Sequence, residues 1–172
     1  AARRVQQARP GLKLVVPAIP ALRSAIEAAA RRAGLSRDLV ILDGQSHAAL
    51  AACDLTLIAS GTATLEAALF KRPMVITYNM HWLSWIRMQR MAYQPWVGLP
   101  NIMAREFLVP ELLQDRATPA SLSSALWAQL SNDQNRQRLR RRFVDLHHDL
   151  MRNTASQSAH AVMSLLSQHG KL

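Results

Sequence analysis

The sequence predicts an α/β fold, a parallel sheet with helices on both faces, followed by a helical C-terminal segment. Two observations predict it. Short apolar runs at 12–16, 39–42, 54–58 and 73–77 alternate with helix-like segments, which is the spacing of βαβ units. After residue 80 the apolar residues recur mostly at helical spacing. Right-handed crossovers between successive parallel strands then place helices on both faces of an open sheet.

Each element has a local cause. Ala1 to Ala8 is helix-like, and Pro10-Gly11 breaks it before the strand-like Leu12-Lys13-Leu14-Val15-Val16. Pro20 opens a helix at a position where its missing N–H is harmless, and Gly34 stops that helix after Ala33. A second strand-like run at 39–42 leads to a short Ala-rich helix from Ser46 to Ala52. Leu55-Thr56-Leu57-Ile58 reads as the third strand, Thr62 to Lys71 as a helix, and Pro73-Met74-Val75-Ile76-Thr77 as the fourth strand. Beyond it, Trp82, Trp85, Ile86 and Gln89 share one helical face, and Gly98-Leu99-Pro100-Asn101 is expected to be a turn. Thr118 caps a helix with Pro119 in its first turn. Asn132-Asp133 opens the next, with Leu139, Phe143, Leu146 and Leu150 as its apolar stripe. Asn153 is expected to cap a last helix that turns Ala159, Val162, Met163 and Leu166 inward.

Composition narrows the partners. The chain has 172 residues, 49% of them hydrophobic, so it has the material for a core and is not a disordered chain. Its net charge of +10 points to an anionic partner: a phosphorylated ligand, an anionic membrane surface or nucleic acid. Nucleic acid is the least favoured, because no recognised binding motif accompanies the basic residues. No apolar run approaches the roughly 18 residues of a membrane span. The single cysteine, Cys53, cannot form an internal disulfide and is expected to be a packed, inert thiol in a reducing compartment. The six histidines are dispersed, apart from His147-His148, which on a helix point roughly 100° apart; no metal site and no cofactor are expected. Because residue 1 is Ala and already reads as helix, the chain is expected to be the C-terminal part of a longer protein.

The stretch Ala59-Ser60-Gly61-Thr62-Ala63-Thr64-Leu65-Glu66 carries the chemistry. It turns from strand to helix at the carboxyl end of the 54–58 strand, where open α/β sheets bind ligands. Small residues there leave backbone N–H groups of Gly61 and Thr62 facing an anion at a helix N-terminus. The hydroxyls of Ser60 and Thr62 can add hydrogen bonds. Glu66, one turn further on, can accept two ribose hydroxyls through its two oxygens. Diphosphate on the turn and ribose on the acid describe a sugar nucleotide.

In order along the chain, ASGTATLEAALFKRPMVITYNM, VGLPNIMA and VPELLQD, together with Leu42-Asp43-Gly44 and Phe143, Leu146 and His147, resemble the C-terminal half of lipid-A-disaccharide synthases. The resemblance runs from about Leu12 to the C-terminus. It implies the Rossmann-like C-terminal domain of a two-domain GT-B glycosyltransferase. Residues 1–116 would be the nucleotide-sugar domain, with its N-terminal part missing, and 117–172 a helical segment. It also implies an inverting hexosyltransferase. That enzyme moves a diacylated glucosamine from UDP-2,3-diacylglucosamine to 2,3-diacylglucosamine 1-phosphate and makes a β-1,6-linked disaccharide. Ser60, Gly61, Thr62, Glu66, Tyr78 and Arg105 would bind the donor, and Asn101 would be the functionally required asparagine. The general base and the acceptor side would lie in the missing N-terminal domain, so that this chain alone would be inactive. One position departs from the family: Arg105 stands where a glycine is usual, so the loop is either rebuilt or uses Arg105 as a phosphate contact. The resemblance further implies a peripheral protein at the cytoplasmic face of a bacterial inner membrane, and a possible homodimer.

Two other functions fit the residues. One is another UDP-N-acetylglucosamine-type transferase or epimerase of the same fold. The other is a non-catalytic basic domain on an anionic membrane. Trp82, Trp85 and Trp96 fall close together with Met88, Met91 and Tyr93, and Arg87 and Arg90 interleave. That mixture suits either a helix core or the headgroup level of a bilayer. Arg136, Arg138, Arg140, Arg141 and Arg142 read first as a solvated helix face and second as a lipid contact.

Overall fold

The computed structural model describes residues 1–91 and 94–168. Its strands are β1 (Leu14–Ala18), β2 (Leu39–Asp43), β3 (Thr56–Ala59), β4 (Met74–Tyr78) and β5 (Glu111–Leu113). The helices are α1 (Ala2–Ala8), α2 (Pro20–Ala33), α3 (Ser46–Ala52), α4 (Thr62–Leu69), α5 (Trp82–Met91), α6 (Leu99–Ala104), α7 (Pro119–Ser131), α8 (Asp133–Leu150) and α9 (Thr154–Gln168). All strand pairs are parallel, so the α/β class holds. The single expected sheet, however, is divided: β1 pairs with β2, and β3-β4-β5 form a separate three-stranded sheet.

The core lies around β4. Its side chains alternate between two apolar clusters, as a strand's must. Met74 and Ile76 pack with Leu50, Ala67, Ala68, Leu139, Phe143 and Leu146, whereas Val75 packs with Val5, Leu126 and Leu130. Helices α3, α4 and α8 therefore cover one face and α1 and α7 the other. The C-terminal helices α7 and α8 are built into this core. Thr118 accepts a hydrogen bond from Ser121 N–H to start α7, and Asn132 accepts one from Asn135 N–H to start α8.

Several expectations change. Gly98-Leu99-Pro100-Asn101 is not a turn but the start of α6, with Pro100 in its first turn. A fifth strand, β5, lies within the Pro110–Gln114 motif. Asn153 caps α9 as expected, but Val162 and Met163 are 56% and 50% exposed, and α9 buries no residue. The stripe of α8 ends at Leu146; Leu150 is exposed. Cys53 is partly buried and donates to Leu50 O, and its burial pushes the thiol pKa up, so it is held as a neutral thiol. Tyr93 and His169 lie outside the described residues.

Candidate functional site at the strand-to-helix turn

The turn is built as expected from its residues. Ser60 N–H donates to Thr77 O and so extends the β3–β4 ladder by one residue. Gly61 then takes φ 145°, ψ −169°, a region essentially restricted to glycine. A side chain here would be strained although there is open space around the Cα. Thr64 closes the turn: its N–H and its hydroxyl both donate to Gly61 O, at 3.1 and 2.7 Å. Gly61, Thr62 and Ala63 are exposed, so the start of α4 presents backbone donors and the Thr62 hydroxyl to solvent. The Ser60 hydroxyl is already engaged, donating to Val97 O at 3.3 Å.

Glu66 sits one turn along α4, 41% exposed, with one oxygen 3.4 Å from His47 Nε2 of α3. The His47 ring also lies 5.6 Å from that of Phe70. His47 belongs to this site and was missed by sequence reasoning, because α3 and α4 are brought together only by the fold. Tyr78 closes β4 and is 38% exposed; its register partner is Leu113 of β5, and the preceding Thr77 pairs with Ala59 of β3.

Asn101 is placed differently from a ligand contact. It is fully buried in α6. Its Nδ2 donates to Val109 O at 2.9 Å and to Glu111 Oε1 at 2.8 Å, and its Oδ1 accepts from Val109 N–H at 2.9 Å. Glu111 is buried as well and also accepts from Val97 N–H and Gly98 N–H. The two motifs around Asn101 and Glu111 are thus the two halves of one buried polar network. Through Val97 it reaches Ser60 and the turn. Gly98 also lies close to the apolar core: a Cβ there would collide with Ile76 Cδ1. Further along, Gln114 holds Met80 through both its backbone N–H and its carbonyl, at 2.7 and 2.9 Å.

Arg105 is exposed and ends α6 in the left-handed region, at φ 53°, ψ 32°. The left-handed corner that a glycine would make is therefore kept, with Arg bearing the strain. Helix α6 packs against α4, the helix that begins at the turn. Helix α5 buries none of its residues; Trp82 is 60% and Met91 67% exposed. In the basic cluster, Arg142 pairs with Glu106 at 2.6 Å and Arg136 with Asp133. Among the described residues, no three His, Cys, Asp or Glu side chains converge as a metal-binding group.

A parallel α/β arrangement with a glycine-hinged turn opening a helix at a strand's carboxyl end is that of the Rossmann-like class of domain. The particular family follows from comparison: the lipid-A-disaccharide synthetase family model matches residues 1–162, and the chain belongs to that family. It is 56% identical over 170 residues to a lipid-A-disaccharide synthase of Albidiferax ferrireducens, covering 96% of this chain and 44% of that protein. It is 57% identical over 173 residues to one from Verminephrobacter eiseniae, covering 97% and 44%. A Pseudomonas fluorescens relative is 47% identical over 169 residues, covering 98% and 43%. The chain thus spans less than half the length of these curated relatives.

Proposed function

We propose that this chain supplies the UDP-donor site of an inverting hexosyltransferase that forms the β-1,6-linked lipid A disaccharide. The donor is UDP-2,3-diacylglucosamine and the acceptor 2,3-diacylglucosamine 1-phosphate. The observation that carries the reading is the open Gly61-Thr62 turn with Glu66 one helical turn away, within a chain of this family. Gly61 and Thr62 N–H groups and the Thr62 hydroxyl bind the diphosphate and stabilise the charge that develops on departing UDP. Glu66 accepts the ribose hydroxyls, and His47 borders the acid, its Nε2 3.4 Å from one carboxylate oxygen. Tyr78 and Arg105 border the nucleotide. Asn101 acts as a positioning residue, holding through Glu111 and Val97 the loop that meets Ser60. Residues 1–116 form the nucleotide-sugar unit and 117–172 the C-terminal helical segment, of which α7 and α8 buttress that unit; the acceptor side and the general base belong to further chain of the kind the longer relatives carry.

An acylated substrate places the enzyme peripherally at an anionic membrane, in this reading the cytoplasmic face of a bacterial inner membrane. The exposed Trp82 and half-buried Trp85 of α5, with Arg87 and Arg90 beside them, support that partner, and no helix among the described residues is long and apolar enough to cross a membrane. Vesicle sedimentation checks it: binding to anionic vesicles is expected to fall in Trp82→Ala/Trp85→Ala, and an unchanged bound fraction counts against the contact.

UDP titration followed by thermal shift tests the site. The chain is expected to bind UDP more tightly than dideoxy-UDP. Glu66→Gln is expected to weaken UDP about tenfold, equivalent to ~1.4 kcal/mol, and to erase the preference for the ribose hydroxyls. A folded chain that ignores millimolar UDP overturns the assignment.

A further inference from the structure

A basic cavity lies at the other end of α4 from the donor turn. It has a volume of about 590 Å³ and is lined by Lys71, Arg72, Arg136 and Arg140, with Asp54 and Asp133 as its carboxylates. Asp54 precedes β3, and Pro73, also in the lining, precedes β4. The cavity is therefore at the amino ends of these parallel strands, whereas the Ser60-Gly61 turn is at the carboxyl end of β3. Helix α4 separates the two, and its 8 residues rise about 12 Å.

Two of the four cations are held in place by uncharged acceptors. Arg72 donates from Nε to Leu50 O at 2.9 Å and from Nη2 to Ala51 O, so α3 fixes its guanidinium. Lys71 donates to Leu69 O at 2.6 Å and to His147 Nδ1 at 2.5 Å. Both side chains are half-buried, and neither has a carboxylate partner among the described residues. Lys71 also takes φ 57°, a left-handed position just past a helix that glycine adopts more easily. Capping α4 accounts for the bond to Leu69 O, and joining α3 to β4 accounts for the bonds of Arg72. Neither role supplies a counter-ion. On α8, Arg136 and Arg140 are one turn apart and share a face. Arg136 pairs with Asp133, whereas Arg140 is exposed and has no partner among the described residues. The cavity thus keeps an excess of positive charge, partly on groups already immobilised, and an anion entering it meets a reduced ordering cost.

We propose that this cavity binds a phosphate monoester, its phosphate held by Lys71, Arg72 and Arg140. A tetrahedral group with three terminal oxygens accepts from donors on several sides, as a planar carboxylate does not. Nη1 of Arg72 has no acceptor among the described residues and remains for the ligand. Phe70, Pro73 and Val144 form an apolar wall for the group that carries the phosphate. The volume falls in the range of small-ligand sites, roughly 300–1,000 Å³. Asp54 and Asp133 at the same cavity disfavour an extended polyanion, so the ligand concentrates its charge on one group. The ester is either soluble or the headgroup of a lipid, since the same donors serve both. The site is separate from the donor turn and does not rest on that assignment.

Glycerol 3-phosphate titrated into the isotope-labelled chain tests this by nuclear magnetic resonance. Saturable shifts are expected at Arg72 Nε–H and at the Lys71 and Arg140 amides, with the Gly61, Thr62 and Ala63 amides unmoved. Arg140→Gln is expected to weaken binding about fivefold, through loss of one charge-assisted hydrogen bond, at an unchanged melting temperature. Arg141→Gln removes the same charge from a residue outside the cavity lining and is expected to change the affinity less than about twofold. Equal losses in the two variants would reduce the effect to net charge and overturn the site. So would shifts confined to the donor turn, or no saturable shift in a folded chain; none of these outcomes depends on whether UDP binds. Should the chain alone lack dispersed amide signals, the same comparison of Arg140→Gln with Arg141→Gln is read in the full-length enzyme. Phosphatidate vesicles separate the sources. Vesicle binding that falls in Arg140→Gln but not in Arg141→Gln assigns the phosphate to a lipid headgroup. Vesicle binding indifferent to Arg140, beside the shifts with glycerol 3-phosphate, assigns it to a soluble ester.

Discussion

The three-stranded and two-stranded halves of the molecule are made of the same βαβ material and are buried very differently. In β4, Met74, Val75 and Ile76 are all fully buried, with a strand on each side and helices on both faces. In β1 and β2, Val15 and Val40 are 38% and 48% exposed, and Ile19 and Leu22 at the start of α2 are 59% and 53% exposed. Both halves are rich in Val, Ile and Leu, so residue type does not explain the contrast. Neighbours do: β4 has a strand on each side and helices on both faces, whereas β1 pairs with β2 alone. Burial of a parallel strand is a property of the sheet around it.

The largest expected effect separates the halves directly. Phe143 is fully buried in the cluster on β4, and Phe143→Ala is expected to lose ~3–5 kcal/mol. Val40→Ala, on the half-exposed β2, is expected to lose under ~1 kcal/mol. Urea denaturation of both variants measures the difference, and equal losses would break the comparison.

An intermediate effect is expected at the polar core of the three-stranded half. Asn101→Ala takes the Asn101 hydrogen bonds from Val109 N–H and Val109 O and one of the two from Glu111 Oε1, and the loss is expected at ~1–3 kcal/mol. As a positioning residue, Asn101 is expected to lose melting temperature and donor binding together. A variant that loses activity in the full-length enzyme at an unchanged melting temperature would make Asn101 a direct contact instead. Gly98→Ala is expected to lose stability by a different route, because its methyl group collides with Ile76; introducing Ile76→Val in the same chain should recover part of the loss.

Local chemistry made most of this fold legible. Pro20 and Gly34 bound α2 where expected, Thr118-Pro119 starts α7, and the glycine in Ser60-Gly61-Thr62 marks the turn. Each of these depends on residues adjacent in the chain. What stayed hidden depends on residues far apart. The partnership of Asn101 with Glu111 and of His47 with Glu66 follows from how β5, α6, α3 and α4 meet, and no spacing along the chain announces it. Helix α6 was hidden because Pro and Asn favour turns as readily as a helix's first positions. The division into two sheets was hidden for another reason: periodicity identifies strands but not whether their edges meet.

The smallest effect concerns the weaker half. Lys13, just ahead of β1, donates to Asp38, just ahead of β2, at 2.8 Å, and this hydrogen bond, helped by one from Gln6, holds the Asp38 carboxyl below its ordinary pKa. A carboxyl with a lowered folded pKa stabilises the fold above its unfolded value, about 3.9. That contribution disappears as pH falls through the folded pKa. The pair is at the surface, so salt screens it and its contribution is small. Acidification is therefore expected to loosen the β1–β2 pairing slightly more in the wild type than in Asp38→Asn. The readout is exchange at Leu14, whose N–H bonds to Asp38 O, followed at low salt on either side of about pH 4. A change as large as that of Asn101→Ala would mean that this surface pair, and not the sparse packing of β1 and β2, limits the two-stranded half.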